Sequence, residues 1–142
     1  MTDFNLQIGE EKKVIKHINV FDLSGKHFKV QAKQTVRNYY GIMPNENAWC
    51  LYVILYPSHP LFERATANTT DYDTYLGDKI YPNWHGGCTY YYKNNDYVKI
   101  GCDYQHVGDE EIEHDFSNGI NGIVLSDMRN LYEFFSKIGG AA

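Results

Sequence analysis

The chain has 142 residues, of which 43% are hydrophobic and 22% charged, which predicts one globular domain spanning residues 1–142. The net charge is −5 but uneven: residues 1–40 hold seven Lys or Arg against four acidic residues, and residues 41–142 hold six against fourteen. This distribution argues against a groove for extended nucleic acid, which needs a dense basic stripe.

The first half of the chain contains two predicted strands and one ambiguous segment. In residues 12–23, KKVIKHINVFDL, Val14, Ile18 and Phe21 would line a helix face, and alternation of apolar and polar residues is poor. A turn at Gly25 precedes a strand that starts at Phe28. Residues 48–57, AWCLYVILYP, are an almost unbroken apolar run, which is typical of a central strand.

The second half predicts a long polar connection, a β-hairpin and a helix. The connection, residues 58–84, is long enough to form a lid or hold short helices. Residues 88–104, CTYYYKNNDYVKIGCDY, read as the hairpin. Ser126 or Asp127 would cap a C-terminal helix with an apolar stripe, ended by Gly139. We predict an α+β fold: an antiparallel sheet with a central β-hairpin and a C-terminal helix packed on it.

The two ends of the hairpin carry residues suited to chemistry. His85, Gly86 and Gly87 lead into its first strand, and DYQHVGD, residues 103–109, leaves its second. Because the ends of a hairpin lie side by side, we expect His85, Asp103, His106 and Asp109 to converge at one edge of the sheet. The glycines permit unusual backbone angles or close approach of a ligand.

Three interpretations of these four residues compete. Two imidazoles and two carboxylates can bind a divalent metal ion, although the spacing matches no strong metal motif. An Asp–His pair can also perform acid–base catalysis on a small substrate. In the third interpretation, which we favour, the same groups recognise a ligand without turnover. The acidic segment after Asp103 would repel phosphate, so cations must come from elsewhere; Arg37, Lys33, Arg64 and Lys93 are candidates.

Neither the cysteines nor the hydropathy predicts export or a membrane span. Cys50, Cys88 and Cys102 are odd in number and lack a C-x-x-C spacing, which argues against a disulfide framework or a zinc knuckle. Cys88 and Cys102 fall in predicted strands and are expected to be small buried residues. No apolar run approaches the length of a membrane span, and we expect a cytoplasmic protein.

Three ordered blocks, WCLYVILYPSHPLFERA, WHGGCTYYY and IGCDYQHVGD, resemble a family of small, largely uncharacterised phage and prophage proteins. The matching positions are His59, Pro60, Leu61, His85, Gly86, Gly87, Thr89, Gly101, Asp103, His106, Gly108 and Asp109. Ser58 stands where the family usually has glycine, and Cys102 where it has a large aromatic residue. The resemblance implies a phage-borne protein acting in the bacterial cytoplasm, and it adds His59 to the predicted site.

We therefore expect a phage-encoded binding protein that sequesters a small nucleotide-derived signal of the cyclic ADP-ribose type to counter bacterial defence, by analogy with other small phage proteins. The hairpin-end residues would contact ribose or base, Tyr90 or Trp84 would stack on a ring, and Arg37 or Arg64 would reach phosphate. The predicted ligand-binding residues are His59, Trp84, His85, Gly86, Gly87, Thr89, Tyr90, Asp103, His106, Asp109, Arg37 and Arg64.

The expected partners are this small ligand and further copies of the chain, without a membrane, extended nucleic acid, metal or other cofactor. We expect a homo-oligomer because one subunit offers few cations near the acidic segment. Two alternatives remain: a metal-assisted hydrolase of a small nucleotide-like molecule, and a protein–protein inhibitor of a host enzyme that uses a tyrosine-rich surface.

Overall fold

Five antiparallel strands form one sheet in the computed structural model, which describes residues 14–38, 46–66, 73–106, 108–113 and 119–138. The strands are β1 (Val14–Ser24), β2 (Phe28–Asn38), β3 (Glu46–Leu55), β4 (Tyr90–Lys93) and β5 (Val98–Asp103), in the spatial order β1-β2-β3-β5-β4. The helices in these ranges are α1 (Phe62–Thr66), α2 (Asp73–Ile80), α3 (Glu110–Glu113) and α4 (Gly122–Ile138). The predicted α+β class is confirmed.

The ambiguous segment near the N-terminus is a strand. β1 pairs with β2 from Val14, opposite Asn38, to Ser24, opposite Lys29, and the register shifts between Ile15 and His17. Such an irregularity inserts an extra residue and moves the side chains on either side of it out of phase. Further along β1 the pairing is regular, but both faces carry apolar residues. Ile18 and Val20 are exposed, whereas Phe21 and Leu23 pack against the core, so alternation of hydropathy does not identify the strand.

One face of the sheet, the inner face, carries the hydrophobic core. Alternate residues of the three central strands are buried there: Phe28, Val30, Ala32, Trp49, Leu51, Val53, Leu55, Val98, Ile100 and Cys102. Helix α4 packs against β2 and β3 with its buried stripe of Val124, Met128, Leu131 and Phe135. Each large side chain buried here stabilises the fold by about 1.5–3 kcal/mol. The predicted packing of the C-terminal helix on the sheet is confirmed.

The opposite, outer face is polar and aromatic. Lys29, Gln31 and Lys33 of β2 alternate with buried residues and remain partly exposed. Tyr52 of β3 and Lys99 of β5 also lie between buried residues and are partly exposed. This face therefore presents cations and aromatic rings to solvent, together with the exposed Ile18 and Val20 of β1.

Helix α4 begins about one and a half turns earlier than predicted. The side-chain Oδ1 of Asn121 accepts hydrogen bonds from the backbone N–H groups of Ile123 (2.9 Å) and Val124 (3.3 Å), so Asn121 caps the helix. The prediction of a cap at Ser126 or Asp127 was wrong, because burial of Val124 extends the helix backwards through Gly122. The predicted C-terminal Gly139 lies outside the described residues.

The long connection after β3 contains α1 and α2. Gly77 lets α2 approach the sheet closely, since a Cβ atom at this position would lie 2.4 Å from Cys88 Sγ and 2.8 Å from Ile100 Cγ2. This contact fixes α2 beside the entrance to β4, close to the residues discussed next. Within the described ranges, no helix has both the length and the apolar character needed to cross a membrane.

Candidate functional site

The two ends of the β4–β5 hairpin meet, as the sequence indicated. The backbone N–H of Thr89 donates to the carbonyl of Gly101 at 2.9 Å, which continues the strand pairing just beyond β4. The turn before Thr89 and the loop after β5 are thereby placed together. They bring His85, Asp103, His106 and Asp109 into one group, which we call the His–Asp cluster.

The Asp109 carboxylate joins the two histidines of the cluster. Only 6% of its side chain is exposed; Oδ1 lies 2.7 Å from His85 Nε2, and Oδ2 lies 3.3 Å from His106 Nδ1. Oδ2 also accepts the backbone N–H of His106 at 2.9 Å. Burial by itself would raise the pKa of Asp109, but the hydrogen bonds from His106 and His85 outweigh it and lower that pKa below its ordinary value. Asp109 is therefore a buried, ionised bridge.

The His106 ring lies between two carboxylates. Its Nε2 is 3.5 Å from Asp103 Oδ1, on the side opposite Asp109, and 37% of its side chain is exposed. Asp103 also accepts the backbone N–H of Gln105 at 3.2 Å, and its Oδ2 lies 3.4 Å from Thr89 Oγ1. A ligand reaching this edge of the sheet would meet the exposed groups of His106, Asp103 and Thr89 first.

The His85 ring packs against a buried tyrosine. Its ring stacks on Tyr104 with centroids 4.4 Å apart and an interplanar angle of 21°. The Tyr104 hydroxyl donates to Asp127 Oδ2 of α4 at 2.7 Å, and burial raises the pKa of this phenol, with Cys102 and Asp127 adding to the effect. The stack ties the orientation of His85 to the hydrophobic core.

The two glycines of the HGG sequence make different contacts. Gly86 has a φ of 69°, and a Cβ atom there would lie 2.6 Å from Cε1 of His106, so its backbone packs directly on that ring. Gly87 has a φ of 91°, and its N–H donates to the carbonyl of Trp84 at 3.0 Å in the turn. Both positions need conformations that favour glycine.

The two cysteines near the site are not nucleophiles. Cys88 and Cys102 are 7% and 2% exposed, which confirms that they behave as small buried residues. Burial raises the pKa of the Cys88 thiol to about 11, and burial also raises the pKa of Cys102. Both thiols therefore stay protonated near neutral pH, and a protonated thiol is a poor nucleophile.

Two of the predicted binding residues belong to the core. His59 is 2% exposed; its Nε2 bonds to the carbonyl of Phe135 at 3.0 Å, and its Nδ1 accepts the N–H of Leu61 at 3.1 Å. Trp84 is 5% exposed, and its indole N–H donates to the carbonyl of Gly77 at 3.3 Å. The structure thus corrects the predicted roles of both residues, because neither side chain is accessible to a ligand.

The remaining predicted residues are scattered. Tyr90 is 39% exposed on the outer face, where its ring meets that of Tyr52 edge to face at 5.2 Å. Arg64 is exposed on α1, in a different element from the cluster. Arg37 belongs to β2, but its side chain lies outside the described part of the structure. Thr89 adjoins the cluster, through Asp103.

Sequence reasoning named Lys33 as a candidate cation but missed Lys29 and Lys99, which lie on the same outer face. Lys99 Nζ lies 4.2 Å from the centroid of the Tyr52 ring and 5.7 Å from that of Tyr90. Partial burial lowers the pKa of Lys99, and the positive charges of Lys33 and Lys29 lower it further. The available signal was alternation: the lysines of β2 are spaced by even numbers of residues and therefore share a face.

Three cluster residues have the composition of a metal site. One donor atom each from His85, His106 and Asp109 can be chosen so that all three lie within 4.8 Å of one another.

Comparisons with protein-family models, with curated proteins and with solved structures each find no significant match.

Proposed function

We propose that this protein binds a small nucleotide-derived signal of the cyclic ADP-ribose type and withholds it from a bacterial defence system, as a phage-encoded protein would. One observation carries the proposal: the cationic outer face and the His–Asp cluster are continuous. Lys33 of β2 pairs with Cys50 of β3, and Cys50 pairs with Asp103 of β5. Because neighbouring strands lie about 4.8 Å apart, the Cα atoms of Lys33 and Asp103 are roughly 10 Å apart. A single ADP-ribose-sized molecule can span that distance.

The cluster end suits hydroxyl and amino groups. Asp103 and His106 have side chains that are 34% and 37% exposed, so both reach solvent. A carboxylate accepts hydrogen bonds from the hydroxyls of a ribose, and an imidazole can both donate and accept. The carboxylates of Asp103 and Asp109 would repel a phosphate, so we assign this end to the ribose or base.

The outer face suits phosphate and a flat ring. Lys29 and Lys99 pair with Ile54 from opposite sides, and Lys33 lies four residues further along β2. The lowered pKa of Lys99, caused by burial and then by Lys33 and Lys29, indicates positive charges that lie near one another. Asp22 Oδ2 lies 3.9 Å from Lys29 Nζ and offsets part of this charge, so an anion would act mainly on Lys33 and Lys99. Tyr90 offers an exposed ring for stacking beside these cations.

The outer face bears on the expected homo-oligomer. The charge distribution along the sequence predicts a homo-oligomer because few cations lie near the acidic segment, yet Lys33 and Asp103 of one subunit share a cross-strand row. A partner subunit is therefore not needed to supply the phosphate-binding charge. Oligomerisation stays a prediction without that support, and sedimentation velocity tests it.

Isothermal titration calorimetry with ADP-ribose and cyclic ADP-ribose tests the proposal. We expect Lys33→Ala and His106→Ala each to weaken binding at least tenfold, because a charged or bidentate contact contributes about 1.5–3 kcal/mol. Lys137→Ala, which removes the same charge from the exposed end of α4, should bind like the wild type. Failure of the wild type to bind either compound, or equal losses in all three variants, would contradict the proposed site.

A second experiment separates binding from turnover. The protein is incubated with lysate of defence-activated bacteria, then heat-denatured, and the released small molecules are analysed by mass spectrometry. An intact nucleotide signal in the released fraction supports sequestration. Chemical alteration of the signal supports the second candidate, a metal-assisted hydrolase, which the converging donors of His85, His106 and Asp109 favour. A signal that stays free and intact contradicts both and makes a host-protein target the next hypothesis.

A further inference from the structure

We propose that His85, His106 and Asp109 form a binding site for one divalent transition-metal ion of the Zn²⁺ class. The three residues supply two imidazole nitrogens and one carboxylate, and one donor atom from each lies within 4.8 Å of the other two. The sequence alone did not favour this interpretation, because Asp-x-x-His-x-x-Asp matches no strong metal motif. The inference is independent of the proposed ligand and stands or falls on the geometry of the cluster.

Two donor separations, each to a different oxygen of the Asp109 carboxylate, lie within 1 Å of those in a four-coordinate site. With bonds of about 2.0–2.2 Å, neighbouring donors around a tetrahedral zinc ion lie roughly 3.3–3.5 Å apart. His106 Nδ1 and Asp109 Oδ2 are already 3.3 Å apart. His85 Nε2 and Asp109 Oδ1, at 2.7 Å, are at hydrogen-bond distance. Replacing the shared proton by a metal ion requires these two atoms to separate by less than about 1 Å.

The residues around the three donors are arranged as supports for a metal site. When one nitrogen of a histidine binds a metal, the other usually carries a proton and donates it to a carboxylate or carbonyl. With Nδ1 of His106 on the metal, its Nε2 faces Asp103 Oδ1 at 3.5 Å. The backbone N–H of His106 orients the Asp109 carboxylate at 2.9 Å, and stacking on Tyr104 orients His85.

The chemistry of the donors selects the class of metal. Imidazole ligands suit Zn²⁺, Co²⁺, Ni²⁺ and Fe²⁺, whereas Mg²⁺ and Ca²⁺ prefer sites made only of oxygen atoms. His85 and His106 have side chains that are 29% and 37% exposed, so an ion can enter from solvent. When Asp109 binds through one oxygen, the three protein donors leave a fourth position for water or a ligand, as in catalytic zinc sites.

Cobalt titration of untagged protein tests the site directly, since tetrahedral Co²⁺ has a characteristic visible absorption. We expect one equivalent of Co²⁺ to bind, Zn²⁺ to displace it, and Mg²⁺ in large excess to have no effect. His85→Ala and His106→Ala should each abolish the spectrum. Asp103→Asn should bind about 10–100-fold more weakly, because it removes only the support of His106. Circular dichroism checks that each variant is folded.

His27→Ala is the matched control. His27 is half-buried and lies 2.8 Å from Ser58 Oγ, so its removal deletes an imidazole that makes no contact with the cluster. This variant should titrate like the wild type. The inference is overturned if the wild type binds no Co²⁺, or if folded His85→Ala and His106→Ala proteins retain wild-type affinity. Because no nucleotide is present, failure here leaves the proposed ligand binding untouched, and failure of nucleotide binding leaves the metal site untouched.

Discussion

Substitution of Gly86 by alanine should displace the His106 ring without unfolding the protein. The added Cβ atom would lie 2.6 Å from Cε1, 2.8 Å from Nδ1 and 3.0 Å from Nε2 of that ring. Carbon atoms in contact lie about 3.5–4.0 Å apart, so the ring must move by roughly 1 Å. His106 is partly exposed and can move outward, away from both carboxylates.

The stability change follows from the backbone. Gly86 has a φ of 69°, and the left-handed conformation costs a residue with a Cβ atom about 1–2 kcal/mol. For a chain of 142 residues, this corresponds to a decrease in melting temperature of roughly 3–8 °C. We expect Gly86→Ala to melt lower by that amount in circular dichroism, with a single cooperative transition.

Gly87→Ala is the control that separates the effect of backbone strain from the effect of displacing the His106 ring. Its φ of 91° is at least as unfavourable for alanine, yet the nearest atom to its added Cβ is Asp78 Oδ1 at 3.8 Å. Both variants should lose stability, but only Gly86→Ala should shift the ring nitrogen signals of His106 in ¹H–¹⁵N NMR spectra. An unchanged His106 in Gly86→Ala, or equal shifts in both variants, would refute the reasoning.

Three further predictions concern the supports of the site. Asp109→Asn should lower the free energy of unfolding by about 1–3 kcal/mol at pH 7. Folding lowers the pKa of Asp109, so the stability that its carboxylate contributes is lost as the pH falls. In urea denaturation, the difference in unfolding free energy between wild type and variant should therefore shrink below about pH 4. Tyr104→Phe removes the hydrogen bond to Asp127 but keeps the ring under His85, so urea denaturation should show a loss of about 1–2 kcal/mol with unchanged His85 NMR signals. Gly77→Ala places a Cβ atom 2.4 Å from Cys88 Sγ, and this overpacking should cost about 1–3 kcal/mol; wild-type stability would show that α2 can move away from the sheet freely.

Local patterns predicted the elements that depend on one stretch of chain. β3 follows from an unbroken apolar run, the β4–β5 hairpin from alternation on either side of a turn, and α4 from an apolar stripe at helical spacing. Convergence of His85 with His106 and Asp109 was also predictable, because both segments flank the same hairpin and a hairpin returns the chain to its starting edge.

Local patterns failed where a distant partner determined the outcome. β1 was ambiguous because apolar residues lie on both of its faces, Ile18 and Val20 on one and Phe21 and Leu23 on the other. Helix α4 starts early because Val124 enters the core, although its cap at Asn121 is itself a local signal. His59 carries the polarity of a binding residue, yet the carbonyl of Phe135, 76 positions away, satisfies it inside the protein.

The sequence by itself determined which residues flank the hairpin, and therefore the composition of the His–Asp cluster. Only the tertiary structure decided what lies beside that cluster. β5 inserts between β3 and β4 in the sheet, so Asp103 shares a row with Lys33 of β2, and Lys99 approaches Tyr52 and the β2 lysines. The order of strands in a sheet depends on which long-range pairings together bury the most apolar surface. The hydropathy period of a single segment does not specify which strands will be its neighbours.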